Sequence, residues 1–182
     1  TLDKLRAEIA HLERGDDGRR SRLEELLDVL ARSEAPGSAP FPVSGPCAEV
    51  IDSFRDAAGE RELLYSESGD GRWLQVQGDR DLLRWAVDEV FRNVVEHAEG
   101  WTRITVKAEP VDGNILLTIR DDGSGLDRPS TARIYTAFSP RLGSKGPGVG
   151  LFVVRHIVEL FGGRAEARSA PGGGLLHSLW IP

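Results

Sequence analysis

Three groups of residues in this 182-residue chain have the types and spacing of a chemical site. Glu89, Asn93 and His97 recur at every fourth position, which on a helix aligns an acid, an amide and an imidazole along one stripe. An amide oxygen suits a hard cation such as Mg²⁺, and a carboxylate beside it can orient or deprotonate an attacking group or water. The plain alternative is a solvated helix face, with Glu96 and Glu99 close by. Asp121-Asp122-Gly123-Ser124-Gly125 directly follows an alternating segment. A carboxylate at such a rigid strand end can accept from an exocyclic amine, for instance a purine's, while Gly123 and Gly125 allow positive φ and close backbone approach. An ordinary strand-exit turn has the same composition. The third group, Gly143-Ser144-Lys145-Gly146-Pro147-Gly148-Val149-Gly150, opens onto an apolar helical stretch. Successive N–H groups, a helix N-terminus and a lysine make a phosphate cradle. The loop is not a Walker A motif, because Lys145 precedes the last glycines and no Lys-Ser or Lys-Thr pair follows them. The alternative is a flexible glycine-rich loop, though Gly148 and Gly150 only weaken a first helical turn unless backbone must approach something. Taken in chain order, the three groups point to ATP with Mg²⁺.

The elements that must position these groups are legible from periodicity. A helix is expected over 48–58, strands over 62–67 and 72–77, and a helix from Asp79, as N-cap, to Ala98. Leu83, Val87, Val90, Phe91 and Val94 form the core side of that second helix. Alternating segments 103–109 and 114–120 flank Asp112-Gly113 and predict a β-hairpin with a turn of two residues or slightly more. Residues 121–147 lack strong periodicity. A helix over 148–161 should stop at Gly162-Gly163, and 164–168 with 175–181 form a last strand pair. The expectation is an α+β fold, two layers, with a mixed, largely antiparallel sheet covered by three helices. Two hairpins leave too few βαβ crossovers for a doubly wound nucleotide-binding fold. Ahead of this domain (47–182), residues 1–34 predict a helical hairpin: Leu2, Leu5, Ile9 and Leu12, then a Gly15-Asp16-Asp17-Gly18 turn, then Leu23, Leu26, Leu27 and Leu30. Residues 35–46, with Pro36, Pro40, Pro42 and Pro46, read as a linker.

Composition narrows the field. Lys plus Arg number 23 against 29 Asp plus Glu, a formal charge of −6, which disfavours a dedicated nucleic-acid binder. The single cysteine, Cys47, excludes an intrachain disulfide and a thiolate zinc cluster, and no two histidines have a metal-ligand spacing. No apolar run approaches the ~20 residues that span a bilayer, and no signal-peptide pattern opens the chain. A cytoplasmic location without membrane contact is expected for this chain. Its start at Thr1 reads as a fragment, leaving a membrane anchor of the full-length protein open. Trp73, Trp85, Trp101 and Trp180 read as packing residues, and His156 and His177 as structural.

The motifs, in this order, carry a family resemblance. Asp88-Glu89-Val90-Phe91-Arg92-Asn93-Val94-Val95-Glu96-His97-Ala98 resembles the asparagine-bearing helix of sensor histidine kinases. Asp121-x-Gly123-x-Gly125 resembles their first glycine box, and Phe138 in Ile134-Tyr135-Thr136-Ala137-Phe138 their lid phenylalanine. Gly146-Pro147-Gly148-Val149-Gly150-Leu151 resembles the second glycine box, and Gly172-Gly173-Gly174 the last one. Residues 47–182 therefore resemble the catalytic ATP-binding domain of that family, in the group with DNA gyrase B, heat-shock protein 90, mismatch-repair ATPases and anti-sigma serine kinases. The resemblance implies a Bergerat-type fold, ATP and Mg²⁺. It makes Asn93 the metal ligand, Asp121 the adenine reader and Glu89 the occupant of the general-base position. Lys145 reaches the terminal phosphates with His97 beside them, Arg133 and Arg141 are weaker lid candidates, and Gly146, Gly148, Val149, Gly150 and Leu151 form the phosphate end. Glu96 departs from the family, which often has Lys or Arg there; an acid repels nucleotide unless it points away or a cation intervenes.

The 1–34 hairpin resembles part of the family's dimerisation and phosphoacceptor unit, but His11, in Ile9-Ala10-His11-Leu12-Glu13-Arg14-Gly15, lacks the acceptor signature. The expected function is an ATP-dependent protein histidine kinase of a two-component system. It would pass the γ-phosphoryl to a histidine for relay to a response-regulator aspartate, as a homodimer joined through the hairpin. Two alternatives remain: an anti-sigma-type serine kinase, and a degenerate ATP-binding or dimerisation module without catalysis.

Overall fold

The computed structural model describes Glu24, Leu27 and residues 39–69, 74–127, 131, 133–135 and 150–182. The chain divides into two compact units, Thr1–Ser38 and Ala39–Pro182. In the first, Glu24 and Leu27 are helical; the remainder of the expected hairpin, His11 included, lies outside the described residues.

Alternation builds the second unit. Strand β4 (Arg103–Val111) buries Ile104, Val106 and Ala108, and β5 (Asn114–Asp121) buries Ile115, Leu117, Ile119 and Asp121. A period of two sends each set to one face, and the register places Ile104 opposite Asp121, Val106 opposite Ile119 and Ala108 opposite Leu117. The connecting turn is Asp112-Gly113 alone, with φ of 50° and 77°. It takes the short form of the expected turn, since two positive φ values match the twist of the strands it joins. Strand β7 (Leu175–Ile181) lies between β5 and the edge strand β6 (Arg164–Ser169), antiparallel to both, and its inward row is Leu175, His177, Leu179 and Ile181. Strand β2 (Glu62–Glu67) runs parallel to β4. The five-stranded order is β2-β4-β5-β7-β6, mixed and largely antiparallel.

The strand expected over 72–77 does not join this sheet. Its described part, β3 (Gln75–Val76), pairs with β1 (Phe41–Pro42) in a separate two-stranded sheet. Apolar burial explains the pairing: Val43, Leu74 and Val76 are all at most 1% exposed, and Val43 N donates to Leu74 O at 3.0 Å. The end of the proline-rich stretch is thus structured rather than linker. Helix α1 (Ser44–Ala58) begins inside it, with Pro46 in the first turn, where a missing N–H breaks no intrahelical bond.

Three helices cover the inward face of the large sheet. Helix α2 (Arg80–His97) packs between α1 and α3 (Gly150–Leu160); α1 also packs on β2, and α3 on β6 and β7. Asp79 caps α2 as its position predicts, Oδ1 accepting from Asp81 N at 2.8 Å and Leu82 N at 3.4 Å. Helix α3 buries Leu151, Val153, Val154, Ile157 and Val158 and gives way to Gly162, φ 81°.

Candidate functional site

Helix α2 carries the polar stripe. Leu83, Val87, Val90, Phe91 and Val94 are at most 2% exposed, whereas Glu89 and Asn93 are half-buried and His97 is exposed. Among the described residues no hydrogen bond engages the Asn93 carboxamide. The start of α3 presses on Glu89: a Cβ at Gly150 would collide with Glu89 Oε1 and lie 2.7 Å from its Cδ. Only a residue without a side chain lets the helix begin this close to the acid. Toward the end of the stripe, Ser124 N donates to Glu99 O at 3.0 Å, and a Cβ at Gly123 would lie 3.2 Å from that of Ala98. The first glycine turn and the last glycine of the second box therefore each touch the segment that carries the stripe, one at Ala98–Glu99 and the other at Glu89.

Asp121 continues the inward row of β5 and is 2% exposed. Its Oδ1 accepts from Gly123 N at 2.9 Å and its Oδ2 from Leu175 N at 3.1 Å. A carboxylate has about four lone-pair positions, so acceptor capacity remains. Gly174, φ 81°, rests directly on this residue, and a Cβ there would collide with the Asp121 backbone oxygen. Gly125, φ 70°, faces Gly174 O, 2.8 Å from where its Cβ would be. Gly123 has no positive φ; room, not backbone conformation, is what it supplies, since its Cβ would come within 3.1 Å of Asp121 Oδ1.

Asp122, the next residue, does different work. Exposed at the sheet end, it accepts from Thr102 N at 2.7 Å, Thr102 Oγ1 at 2.6 Å and Arg103 N at 2.9 Å. Partial burial acts to raise its carboxyl, but these hydrogen bonds outweigh it and hold the group below the ordinary aspartate range. Glu96 has a cation beside it, Arg92 Nη1 at 4.0 Å, with His97 Nε2 equally distant. Leu151 is 7% exposed, so its side chain belongs to the core and only its backbone N–H, in the first turn of α3, is on offer. Arg133 is exposed. Phe138, Arg141, Lys145, Gly146, Gly148 and Val149 lie outside the described residues. Burial, then the nearby Glu67, pushes the Cys47 thiol up to about 12, which removes it as a nucleophile.

One contact had no counterpart in the sequence reading. His177 is fully buried, as a structural histidine is, and its Nδ1 lies 2.8 Å from Tyr135 Oη. The available signal was a histidine standing in the inward row Leu175, Leu179, Ile181. Trp85 and Trp101 are buried, and Arg164 and Arg61 lie over the rings of Trp180 and Trp101 at 4.3 and 4.6 Å. His156 Nδ1 lies 4.0 Å from Glu159 on its own helix. Among the described residues there is no cluster of three His, Cys, Asp or Glu that could hold a metal, and no helix long and apolar enough to cross a membrane.

A family model for the histidine kinase-, DNA gyrase B- and HSP90-like ATPases matches residues 78–182. The chain is 34% identical over 130 residues to the sensor histidine kinase ZraS of Klebsiella oxytoca, covering 69% of this chain and 27% of that one. It is 30% identical over 124 residues to the alginate biosynthesis sensor protein KinB of Pseudomonas aeruginosa, covering 67% and 20%. The matched region thus spans about a quarter or less of these relatives' length. In fold it is similar to full-length ShkA in complex with AMPPNP, at TM-score 0.73 and 23% identity over 97% of this chain and 38% of that one.

Proposed function

The chain belongs to the histidine kinase-, DNA gyrase B- and HSP90-like ATPase family, and on that premise we propose that it is the ATP-binding catalytic part of a protein histidine kinase in a two-component system. One observation carries the reading: Asp121, a buried carboxylate on the inward face, is held by two backbone amides and still has acceptor capacity beside a glycine-lined turn. That is a reader for an exocyclic amine such as that of adenine, with Gly123 and Gly125 admitting the base.

The donor set fits Mg²⁺ arriving with the triphosphate. Magnesium keeps waters and phosphate oxygens as ligands and needs only one or two protein oxygens. The Asn93 carboxamide, engaged by no described residue, supplies one. When bound, the cation neutralises phosphate charge. The chain's own groups do the rest by positioning. By the family resemblance, N–H groups of Gly146, Gly148, Val149, Gly150 and Leu151 would hold the terminal phosphates, with Lys145, His97 and Phe138 as the further nucleotide-binding residues. Glu89, pressed on by Gly150, is the general-base candidate. As the lone pair of one imidazole nitrogen forms the N–P bond and the bond to the departing ADP breaks, the proton carried by the other ring nitrogen is the one a base would accept. The phosphoryl would then pass to a response-regulator aspartate, with the hairpin expected over 1–34 as the segment that joins two copies. The name of the ZraS relative, a sensor histidine kinase, favours histidine over serine as acceptor.

Incubating the chain and its full-length protein with γ-labelled ATP and Mg²⁺ tests this. Acid-labile, base-stable label on the full-length protein is expected. No nucleotide binding by the chain at millimolar ATP overturns the reading.

A further inference from the structure

The five-stranded sheet ends on two edge strands, β2 and β6, and among the described residues no strand pairs with the outer side of either. A free edge is a template for another strand unless charge, proline or a bulge guards it. Strand β6 keeps all its residues in register with β7, from Arg164 opposite Trp180 to Ser169 opposite Leu175, and contains no proline. The pairing runs one residue further, Ala170 N donating to Gly174 O at 3.0 Å. Antiparallel partners bond at every second residue, so that bond assigns the N–H and C=O groups of Arg164, Glu166 and Arg168 to β7. Those of Ala165, Ala167 and Ser169 point away from the sheet.

Side chains follow the same alternation. Ala165 and Ala167, opposite the inward Leu179 and His177, lie half-buried on the helix side. Arg164, Glu166 and Arg168 stand exposed on the other face. Glu166 accepts from Arg164 Nε at 3.1 Å, but with side chains 63% and 60% exposed this pair is weakly held. The Arg168 side chain has no ion pair or hydrogen bond among the described residues. Ser169 Oγ donates to Leu126 O at 2.7 Å, a contact of the side chain and not of the strand backbone. The charges on β6 thus alternate in sign along the strand, which guards against some registers and favours others.

We propose that the free edge of β6 pairs with β6 of a second copy of this chain, antiparallel about a two-fold axis at Ala167. A ladder forms only where edge-facing residues meet edge-facing residues, so the axis falls on a residue and not between two. On Glu166 it would oppose Glu166 to itself and Arg164 to Arg168, like charges throughout; on Arg168 that residue would meet itself. On Ala165 the overlap is shorter and draws in Gly163, already crowded by Trp180 O. On Ala167 each Glu166 faces Arg168 of the second copy, twice by symmetry, and each Ala165 faces Ser169. The charged pairs are then the non-hydrogen-bonded ones, with Cα atoms closest at about 4.5 Å, where opposite charges stabilise a sheet. Strand β2 has no such option, because its only charged residues are Glu62 and Glu67. A two-fold contact uses the edge of both copies and closes on a dimer. Strand β7 separates β6 from the strand that carries Asp121, so the pairing does not rest on the nucleotide reading.

A contact one strand long is small beside the roughly 1,000 Å² of a stable interface, so the test must register a weak dimer. Ala167→Cys sets two thiols opposite each other at the axis, Cα atoms about 5.5 Å apart, within the span of about 4.4–6.8 Å that a disulfide bridges. The single native cysteine, Cys47, is buried and does not compete. With diamide as oxidant, the full 182-residue chain carrying Ala167→Cys should cross-link several-fold faster than one carrying Ala57→Cys, an exposed position on α1 that measures chance collision. In the Ala167→Cys background, Glu166→Arg and Arg168→Glu should each slow cross-linking about ten-fold, the scale of two cross-strand charge pairs lost. Mixing these two variants should restore the rate, because each then meets opposite charge in the other; damage to folding would persist in the mixture. Cross-linking no faster than for Ala57→Cys overturns the pairing. Rates indifferent to the charge changes, as a dimer held elsewhere would give, or a mixture that stays slow, overturn the register at Ala167.

Discussion

The two ends of the candidate site are built on different principles. At the Asp121 end the geometry is complete before any ligand arrives: a carboxylate 2% exposed, two amide donors within 3.1 Å, and the Gly174 backbone seated where a Cβ would not fit. At the Glu89 and Asn93 end the side chains are half-buried on a helix face, and Asn93 is engaged by no described residue. Rigid preorganisation suits reading a flat base, because ordering costs are met in folding rather than in binding. On the proposed reading, the open end receives phosphates that bring their own cation and must leave as product. That reading makes recognition and chemistry separable by mutation.

Asp121→Asn attacks the preorganised end and should have the largest effect. A carboxamide offers one oxygen to two N–H donors, so its NH₂ must face either Gly123 N or Leu175 N. Unfolding experiments should show a loss of about 1–3 kcal/mol, the cost of an unsatisfied buried donor. ATP affinity should fall roughly 100-fold, as when a site built for one hydrogen-bond pattern meets another. Retained ATP affinity would dissolve the contrast between the two ends. Asn93→Ala attacks the open end. It should leave the thermal midpoint within a degree or two and lower ATP affinity about ten-fold in Mg²⁺, the worth of one ligand oxygen at ~1.4 kcal/mol. In EDTA the variant and the parent should bind alike. A comparable loss in EDTA would remove the metal role of Asn93.

The smallest effect belongs to Asp122→Ala, which should touch neither end. Its carboxyl sits below the ordinary range because Thr102 and Arg103 donate to it, so the folded state binds its proton more weakly than the unfolded state. That stabilisation is present above the unfolded value of about 4 and is lost as pH falls through the lower folded value. The variant should melt slightly below the parent at pH 7, the gap closing below about pH 4, with ATP affinity unchanged at neutral pH. Two adjacent aspartates thus separate into one buried at the candidate site and one that braces the sheet end.

That separation explains what could be read ahead of the structure. Asp121 was legible as the acid that directly follows the alternating segment 114–120 and heads Asp121-x-Gly123-x-Gly125. The cap at Asp79 and the turn at Asp112-Gly113 were legible because each depends on a few consecutive residues. The same alternation put His177 on the inward face but did not identify its partner, 42 residues away in a stretch without periodicity. Strand β3 was legible as extended chain, yet its partner lay in proline-rich sequence that reads as linker.

The sequence by itself determined which residues of the hairpin strands and of α2 face inward, where α2 starts and where the Asp112-Gly113 turn forms, and which family the motifs resemble. All of these follow from backbone sterics and side-chain direction over a few residues. Only the tertiary structure decided that β2 lies parallel to β4, that Gly174 sits on Asp121, and that Tyr135 meets His177. Such contacts join segments far apart in the chain, 54 residues in the case of Leu175 and Asp121. Their geometry is set by how the whole apolar face closes over itself, and no local pattern records that.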